Sequence, residues 1–278
     1  MAIIEGKKIR DKKLKQLRKN LEKVERKLGL AIVQVGNDPA SKVYIRQKEK
    51  LANELGYNFV HKKFRADVSE ERIIKEIELL NNDENIDGIL VQMPLPKHMH
   101  SNRIQNTINP LKDVDGLTHI NAGKLLENIE CLIPCTPKGI IDLLDEYKIP
   151  LEGSKVSVIG RSILVGKPIA NLLTNRNATV TLCHSRTKEI SKITKKSDIV
   201  IVAIGKKHYL SGDMVKKNAI VIDVGINSID GKLYGDANFE ELQDKCKYIT
   251  PVPGGVGPMT VYELMNNVYL AYKLKNNK

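Results

Sequence analysis

Tyr44 and Lys48 stand four residues apart in a stretch, 41–55, whose pattern reads as a helix closed by Gly56. At that spacing the two side chains share a face, one turn apart. A lysine moves protons usefully near neutral pH only where desolvation or nearby cations lower its pKa. Gln92 lies at the carboxyl end of the strand-like run 88–93 and can hydrogen-bond such an amine or a substrate. Asp115 adds a carboxylate within Lys112-Asp113-Val114-Asp115-Gly116, where two acids precede a turn glycine. The alternatives are an exposed tyrosine beside a solvated lysine, and a plain Asx-type turn around Asp115.

A second constellation suits phosphate. The run Val156-Ser157-Val158-Ile159 leads straight into Gly160-Arg161-Ser162-Ile163-Leu164-Val165-Gly166-Lys167-Pro168. A dinucleotide site needs glycine where the chain turns tightly and free amides at the start of the next helix. Gly160, Ser162 and Gly166 form a variant of G-x-G-x-x-G, with serine at the middle position and a longer spacing after it; an ordinary strand-to-helix turn is the alternative. The next strand ends Cys183-His184-Ser185-Arg186-Thr187, without the acid that pairs with the ribose of NAD. Arg161, Ser185 and Arg186 offer cations and a hydroxyl instead, which suits the extra phosphate of NADP. His184 reads as a loop histidine. Asp223-Val224-Gly225-Ile226-Asn227 ends a later strand, toward the expected nicotinamide end.

The elements that must position these residues alternate. Residues 9–28 place Leu14, Leu17, Leu21, Val24 and Leu28 at steps of three and four, predicting an amphipathic helix. Strands are predicted over 30–35, 57–64 and 88–93, with a helix through Ile73, Ile77 and Leu80 that Asp67 and Glu70 would open as a capping box. Residues 106–137 are rich in turn formers, and 138–147 read as helical. The rhythm restarts with strands at 156–159, 179–182, 198–204 and 219–224 and a helix at 168–173. A loop over 251–258 then precedes a last helix over 261–273. Strand alternating with helix predicts mostly parallel sheets, with ligands outside the carboxyl ends of strands.

The 278 residues favour two domains over one large α/β domain. No run of eighteen apolar residues suggests a membrane span. The first thirteen residues carry charge from Glu5 onward and lack the apolar core of a secretory signal. Cys131, Cys135, Cys183 and Cys246 are scattered, which argues against a metal site and fits a reducing, cytoplasmic setting. The net charge of +12 raises a nucleic-acid partner as an alternative. The lysines are spread along helix-like stretches, however, and with no Trp and 3 Phe there is little to stack on single-stranded bases.

Several stretches together carry a family resemblance. They are Ser41-Lys42-Val43-Tyr44-Ile45-Arg46-Gln47-Lys48, Val91-Gln92-Met93-Pro94-Leu95-Pro96, the Asp115 motif, Pro134-Cys135-Thr136-Pro137, the Gly160 to Pro168 turn and Val221-Ile222-Asp223-Val224-Gly225-Ile226-Asn227. The last is Thr250-Pro251-Val252-Pro253-Gly254-Gly255-Val256-Gly257-Pro258-Met259-Thr260. In these, and in their order along nearly the whole chain, the sequence resembles the bifunctional methylenetetrahydrofolate dehydrogenase/methenyltetrahydrofolate cyclohydrolase family.

The resemblance implies an α/β fold of two domains with a cleft between them. A three-layer folate-binding catalytic domain would take residues 1–135, completed by 259–278, and a Rossmann-type NADP-binding domain residues 136–258. It implies NADP as cofactor, a tetrahydrofolate derivative as substrate and a homodimer, with no metal. Lys48 would be the key catalytic residue, tuned by Gln92; Tyr44 would orient the folate ring and Asp115 anchor the pterin. Gly255 and Pro258 would contact substrate, and Gly160, Arg161, Ser162, Ser185, Arg186 and Ile226 would contact NADP. Leu117 stands where many relatives have Phe, Tyr262 where a small residue is common, and Gly235-Asp236-Ala237-Asn238 where Gly-Asp-Val-Asp is usual. A dehydrogenase without cyclohydrolase activity would keep the same residues.

Overall fold

The computed structural model describes residues 2–276, less the side chain of Ala40. The chain divides into two compact units, Leu14–Cys135 with Glu263–Lys278, and Met1–Lys13 with Thr136–Tyr262. Counting residues 1–13 with the first domain differs from this division. The strand Ala2–Ile3 pairs in parallel with Tyr248–Ile249, which ties the start of the chain to the second unit.

In the first unit three parallel strands lie in the order Asn58–Phe64, Gly29–Val35, Gly88–Val91. Every residue of the central strand is buried, as expected of a nearly unbroken apolar run covered on both faces. The helix Glu70–Asn82 sends Ile73, Ile77 and Leu80 into the same core as Val33, Ile89 and Val91. Ser69 caps it, accepting from the Arg72 amide at 3.3 Å. The expected capping box is therefore corrected. Asp67 lies too early and pairs with Arg65, while Glu70 accepts from the His100 amide and from Arg103.

The first long helix, Gly6–Leu21, ends a turn and more before the predicted limit. The leucine spacing overran it because Leu28 is buried from the segment entering the next strand. Arg26 holds that segment with two bonds to Asp87, at 2.9 and 2.5 Å, and Asp87 also accepts from the Gly29 amide at 2.9 Å. The turn-rich stretch 106–137 conceals a short helix, His119–Leu126, and a second, Ser101–Thr107, runs into its start. Thr118 caps the first of them.

In the second unit six parallel strands run in the order Ala2–Ile3, Tyr248–Ile249, Ile220–Asp223, Ile199–Val202, Lys155–Ile159, Thr179–Cys183. Lys155–Ile159 pairs with Thr179–Cys183 on one side and Ile199–Val202 on the other. The order of connection reverses there, and such a switch point is where open α/β sheets take their ligands. An antiparallel hairpin, Asn227–Ile229 with Lys232–Tyr234, was not foreseen from the pattern. The last helix, Val256–Asn276, begins inside the stretch expected to be a loop. Among the described residues no helix is long and apolar enough to cross a membrane, no cluster suits a metal ion, and no disulfide joins the cysteines.

The Glu70–Asn82 helix gives a direct test of the first core. Ile77→Ala is expected to lower unfolding stability by about 2–5 kcal/mol through lost burial and the cavity left behind. Ile77→Leu should cost less than about 1.5 kcal/mol. Denaturant midpoints followed by circular dichroism check the pair.

Candidate active site and dinucleotide site

Lys48 projects from the helix Pro39–Glu54, which Asp38 caps by accepting from the Ser41 amide at 2.7 Å. The Ser41 hydroxyl donates to the Met93 carbonyl at 3.2 Å, joining the start of this helix to the end of the strand Gly88–Val91. Gln92 follows that strand, and its Nε2 donates to the same carbonyl at 2.9 Å. This turns Oε1 toward Lys48, whose Nζ donates to it at 2.9 Å. The predicted lysine–glutamine pair is thus formed, with both residues half-buried.

Burial pushes the Lys48 ammonium below the usual lysine range, opposed by the charges of Asp115 and Cys135. Burial likewise pushes the Asp115 carboxyl up; Lys48 opposes this, Asp113 adds to it and a hydrogen bond from Cys135 reduces it. The surroundings therefore shift Lys48 toward the uncharged amine, the form able to accept a proton. Tyr44 shares the helix and is 38% exposed, open to a flat ligand.

The loop carrying Asp115 is held by groups that residue spacing did not single out. Asp113 is fully buried and accepts from Gln105 Nε2 at 3.2 Å, the Thr118 amide at 2.8 Å and Asn121 Nδ2 at 2.9 Å. It is thus the fastener of the loop, whereas Asp115 is left to face Lys48. Asn267 Nδ2 donates to the Val114 and Ile133 carbonyls, each at 2.8 Å. Gly116 turns the chain at φ +67°, where a Cβ would lie 2.6 Å from the Ile133 carbonyl carbon. Cys135, beside Asp115, was visible only as a member of its Pro-Cys-Thr-Pro motif.

In the second unit Gly160 takes φ +123°, and a Cβ there would meet the Ala203 carbonyl oxygen at 2.3 Å. A Cβ on Gly166 would meet the Gly160 oxygen at 2.0 Å. Both glycines are thus required by close approach, as a dinucleotide turn demands. The Ser162 hydroxyl accepts from the Val165 amide at 3.1 Å, shaping the entry into the helix Gly166–Thr174. Arg161, Ser162, Ser185, Arg186 and Ile226 are all exposed, following the carboxyl ends of their strands. His184 holds its own loop, its Nδ1 accepting from the Arg186 amide at 3.1 Å. Gly255 is buried and Pro258 half-buried, at the start of the helix Val256–Asn276. The glycine cradle, the exposed hydroxyls and the two exposed guanidinium groups fit a phosphorylated dinucleotide.

Residues 4–115 match the family described as tetrahydrofolate dehydrogenase/cyclohydrolase, catalytic domain. Residues 134–276 match its NAD(P)-binding domain. The bifunctional protein FolD of Thermodesulfovibrio yellowstonii is 48% identical over 277 residues, covering 98% of this chain and 97% of the relative. The crystal structure of the bifunctional enzyme FolD, methylenetetrahydrofolate dehydrogenase/cyclohydrolase, from Campylobacter jejuni aligns with a TM-score of 0.95 at 41% identity, covering 99% of each chain. That of the Trypanosoma brucei enzyme, complexed with NADP cofactor and inhibitor, aligns with a TM-score of 0.95 at 34% identity, covering 100% of this chain and 99% of that one. With both domains matched and full-length relatives close to half identical, this chain belongs to the tetrahydrofolate dehydrogenase/cyclohydrolase family.

Proposed function

We propose that the chain oxidises 5,10-methylenetetrahydrofolate with NADP and hydrolyses the resulting 5,10-methenyl compound to 10-formyltetrahydrofolate. Family membership supports the pair of reactions. The observation that carries the assignment of residues is the Lys48–Gln92 hydrogen bond beside Asp115 in a desolvated setting. Neither the dehydrogenase-only alternative nor the nucleic-acid alternative is favoured by the family.

The dinucleotide, when bound, supplies the hydride acceptor. The Gly160 turn is assigned to its phosphates, Arg161, Ser185 and Arg186 to the additional phosphate of NADP, and Ile226 to the nicotinamide end. Departure of hydride from the one-carbon bridge leaves a cation that the flanking nitrogens stabilise. The protein's task in this step is therefore proximity and orientation. Tyr44 is assigned to the folate ring and Asp115 to the pterin, with Gly255 and Pro258 as further substrate contacts.

In the hydrolytic step the oxygen of water bonds to the methenyl carbon, and one carbon–nitrogen bond of the bridge breaks. The Lys48 amine takes a proton from the water and returns one to the departing nitrogen; the second water proton leaves to solvent. Gln92 Oε1 holds the amine in place throughout. The reading extends to a cytoplasmic homodimer supplying one-carbon units for purine biosynthesis. We assign the Lys48 site to Leu14–Cys135 with Glu263–Lys278, and dinucleotide handling to Met1–Lys13 with Thr136–Tyr262.

Purified protein given methylenetetrahydrofolate and NADP should form NADPH, and the methenyl absorbance should decay faster than without enzyme. Lys48→Ala is expected to reduce cyclohydrolase turnover by about 100-fold or more, the scale of positioned acid–base catalysis. Near-normal decay in that variant would remove Lys48 from the mechanism. Because the neutral amine is the active form, the rate should rise with pH as Lys48 loses its proton. Gln92→Glu places an anion on the ammonium, which raises the lysine pKa and should move this acid limb to higher pH. A limb that stays in place, or shifts to lower pH, contradicts the assignment. Arg161→Ala should lower the ratio of NADP to NAD efficiency by about tenfold, the worth of one charge-assisted contact to phosphate. An unchanged ratio in paired assays would count against Arg161 as the phosphate partner.

A further inference from the structure

The Asp236 side chain is fully buried in the second unit, and its carboxylate collects four donors. Oδ2 accepts from the Ile204 amide at 2.6 Å and the Gly205 amide at 2.9 Å. Oδ1 accepts from the Lys206 amide at 2.8 Å and from Asn227 Nδ2 at 3.0 Å. Three successive backbone amides make a concavity suited to an anion. Here the anion is the protein's own.

The two segments so joined lie at functional positions. Residues 203–206 follow the strand Ile199–Val202, and Asn227 lies four residues past the end of the strand Ile220–Asp223, next to Ile226. Residue 203 is also what Gly160 presses against, since a Cβ on Gly160 would meet the Ala203 oxygen at 2.3 Å. A Cβ on Gly225 would lie 2.2 Å from Asp236 Cγ, so the carboxylate fits against bare backbone on that side as well. Asp223 steadies the arrangement. It accepts from the Gly225 and Asp236 amides at 3.0 and 2.9 Å and from the Ala237 amide at 2.9 Å. Burial pushes the Asp223 carboxyl up to about 6, in spite of those three amides.

We infer that Asp236 is a positioning residue for the dinucleotide site: by binding the amides of 204–206 and the amide side chain of Asn227, it holds the segment on which the Gly160 turn packs to the strand end that carries Ile226. It touches no substrate. The inference rests on the proposed dehydrogenase/cyclohydrolase function, and it separates the two activities, because the hydrolytic step needs no dinucleotide. An ionised carboxylate offers acceptors only. An asparagine must point its NH2 either at the Ile204 and Gly205 amides or at the Lys206 amide and Asn227, so donors face donors in both orientations.

The test compares wild type, Asp236→Asn and Asn227→Ala in both reactions, with NADP affinity read by calorimetry on each protein. For Asp236→Asn the KM and Kd for NADP should rise about tenfold or more, as loss of hydrogen bonds to a charged group implies. Its cyclohydrolase KM and turnover should stay within about twofold of wild type, a split that general damage to the fold does not produce. Asn227→Ala, which keeps the backbone donors, should give a smaller rise of about threefold. NADP affinity unchanged in both variants, or equal loss of both activities, overturns the inference. If Asp236→Asn does not fold, Asn227→Ala decides the matter by the same readings. A wild-type protein that binds NADP but oxidises no methylenetetrahydrofolate would sink the functional reading alone, and the calorimetric comparison would still decide the role of Asp236.

Discussion

The removal of water from around the Lys48 ammonium is the constraint on which the proposed chemistry depends. In bulk water a lysine at neutral pH is a cation and a poor base. The same amine, desolvated and bonded to the neutral Oε1 of Gln92, is pushed toward its uncharged form. An anionic partner in the place of Gln92 would stabilise the cation instead. Asp115 is itself pushed toward its neutral form by burial, which limits how strongly it can hold the ammonium charged. Residue type and burial therefore act in the same direction.

Such a site requires positioning of side chains that would otherwise relax, and buried polar fasteners supply it. Asp113 fixes the Asp115 loop with three bonds, and Asn267 holds the backbone of the same loop from the last helix. Lys112 donates to the Leu80 and Asp83 carbonyls at 3.0 and 2.7 Å, taking up groups that the end of the helix Glu70–Asn82 leaves free. In the other unit Asp223 and Asp236 perform the same service for the strand ends. Each is buried and accepts several donors, as low-dielectric surroundings demand of a polar group. The consequence is an economical division of labour within short motifs. In Lys112-Asp113-Val114-Asp115-Gly116 the first two charged residues fasten, the last acid lies beside Lys48, and the glycine makes the turn.

Much of this was legible beforehand. Apolar runs bounded by turn residues located the strands to within a few residues, since a strand of a covered parallel sheet is marked by near-continuous burial. Their alternation with helices predicted parallel sheets, and the resemblance carried by seven motifs reached the family. Local patterning failed where long-range contacts decide. The leucine repeat overruns the first helix because Leu28 is buried from the segment held by the Arg26–Asp87 pair, 61 residues apart in the chain. The spacing of Asp67 and Glu70 mimics a capping box because sequence distance does not reveal that Glu70 is engaged by His100 and Arg103. The short hairpin after Asn227 and the two-residue strands at Ala2 and Tyr248 are too brief to leave a periodic signal.

By itself, then, the sequence determined which chemical groups are present and the order of the elements that carry them: a lysine one turn from a tyrosine, glycines where the chain must pass close to itself, arginines where NAD binders carry an acid. These are properties of residue type and local spacing. Tertiary structure alone decided which acid fastens the loop and which lies beside Lys48, that Gln92 turns its oxygen to Lys48, and that Asp236 gathers amides from residues thirty positions away. Those outcomes depend on burial and on hydrogen bonds between distant segments, and neither has a signature within a short window of sequence.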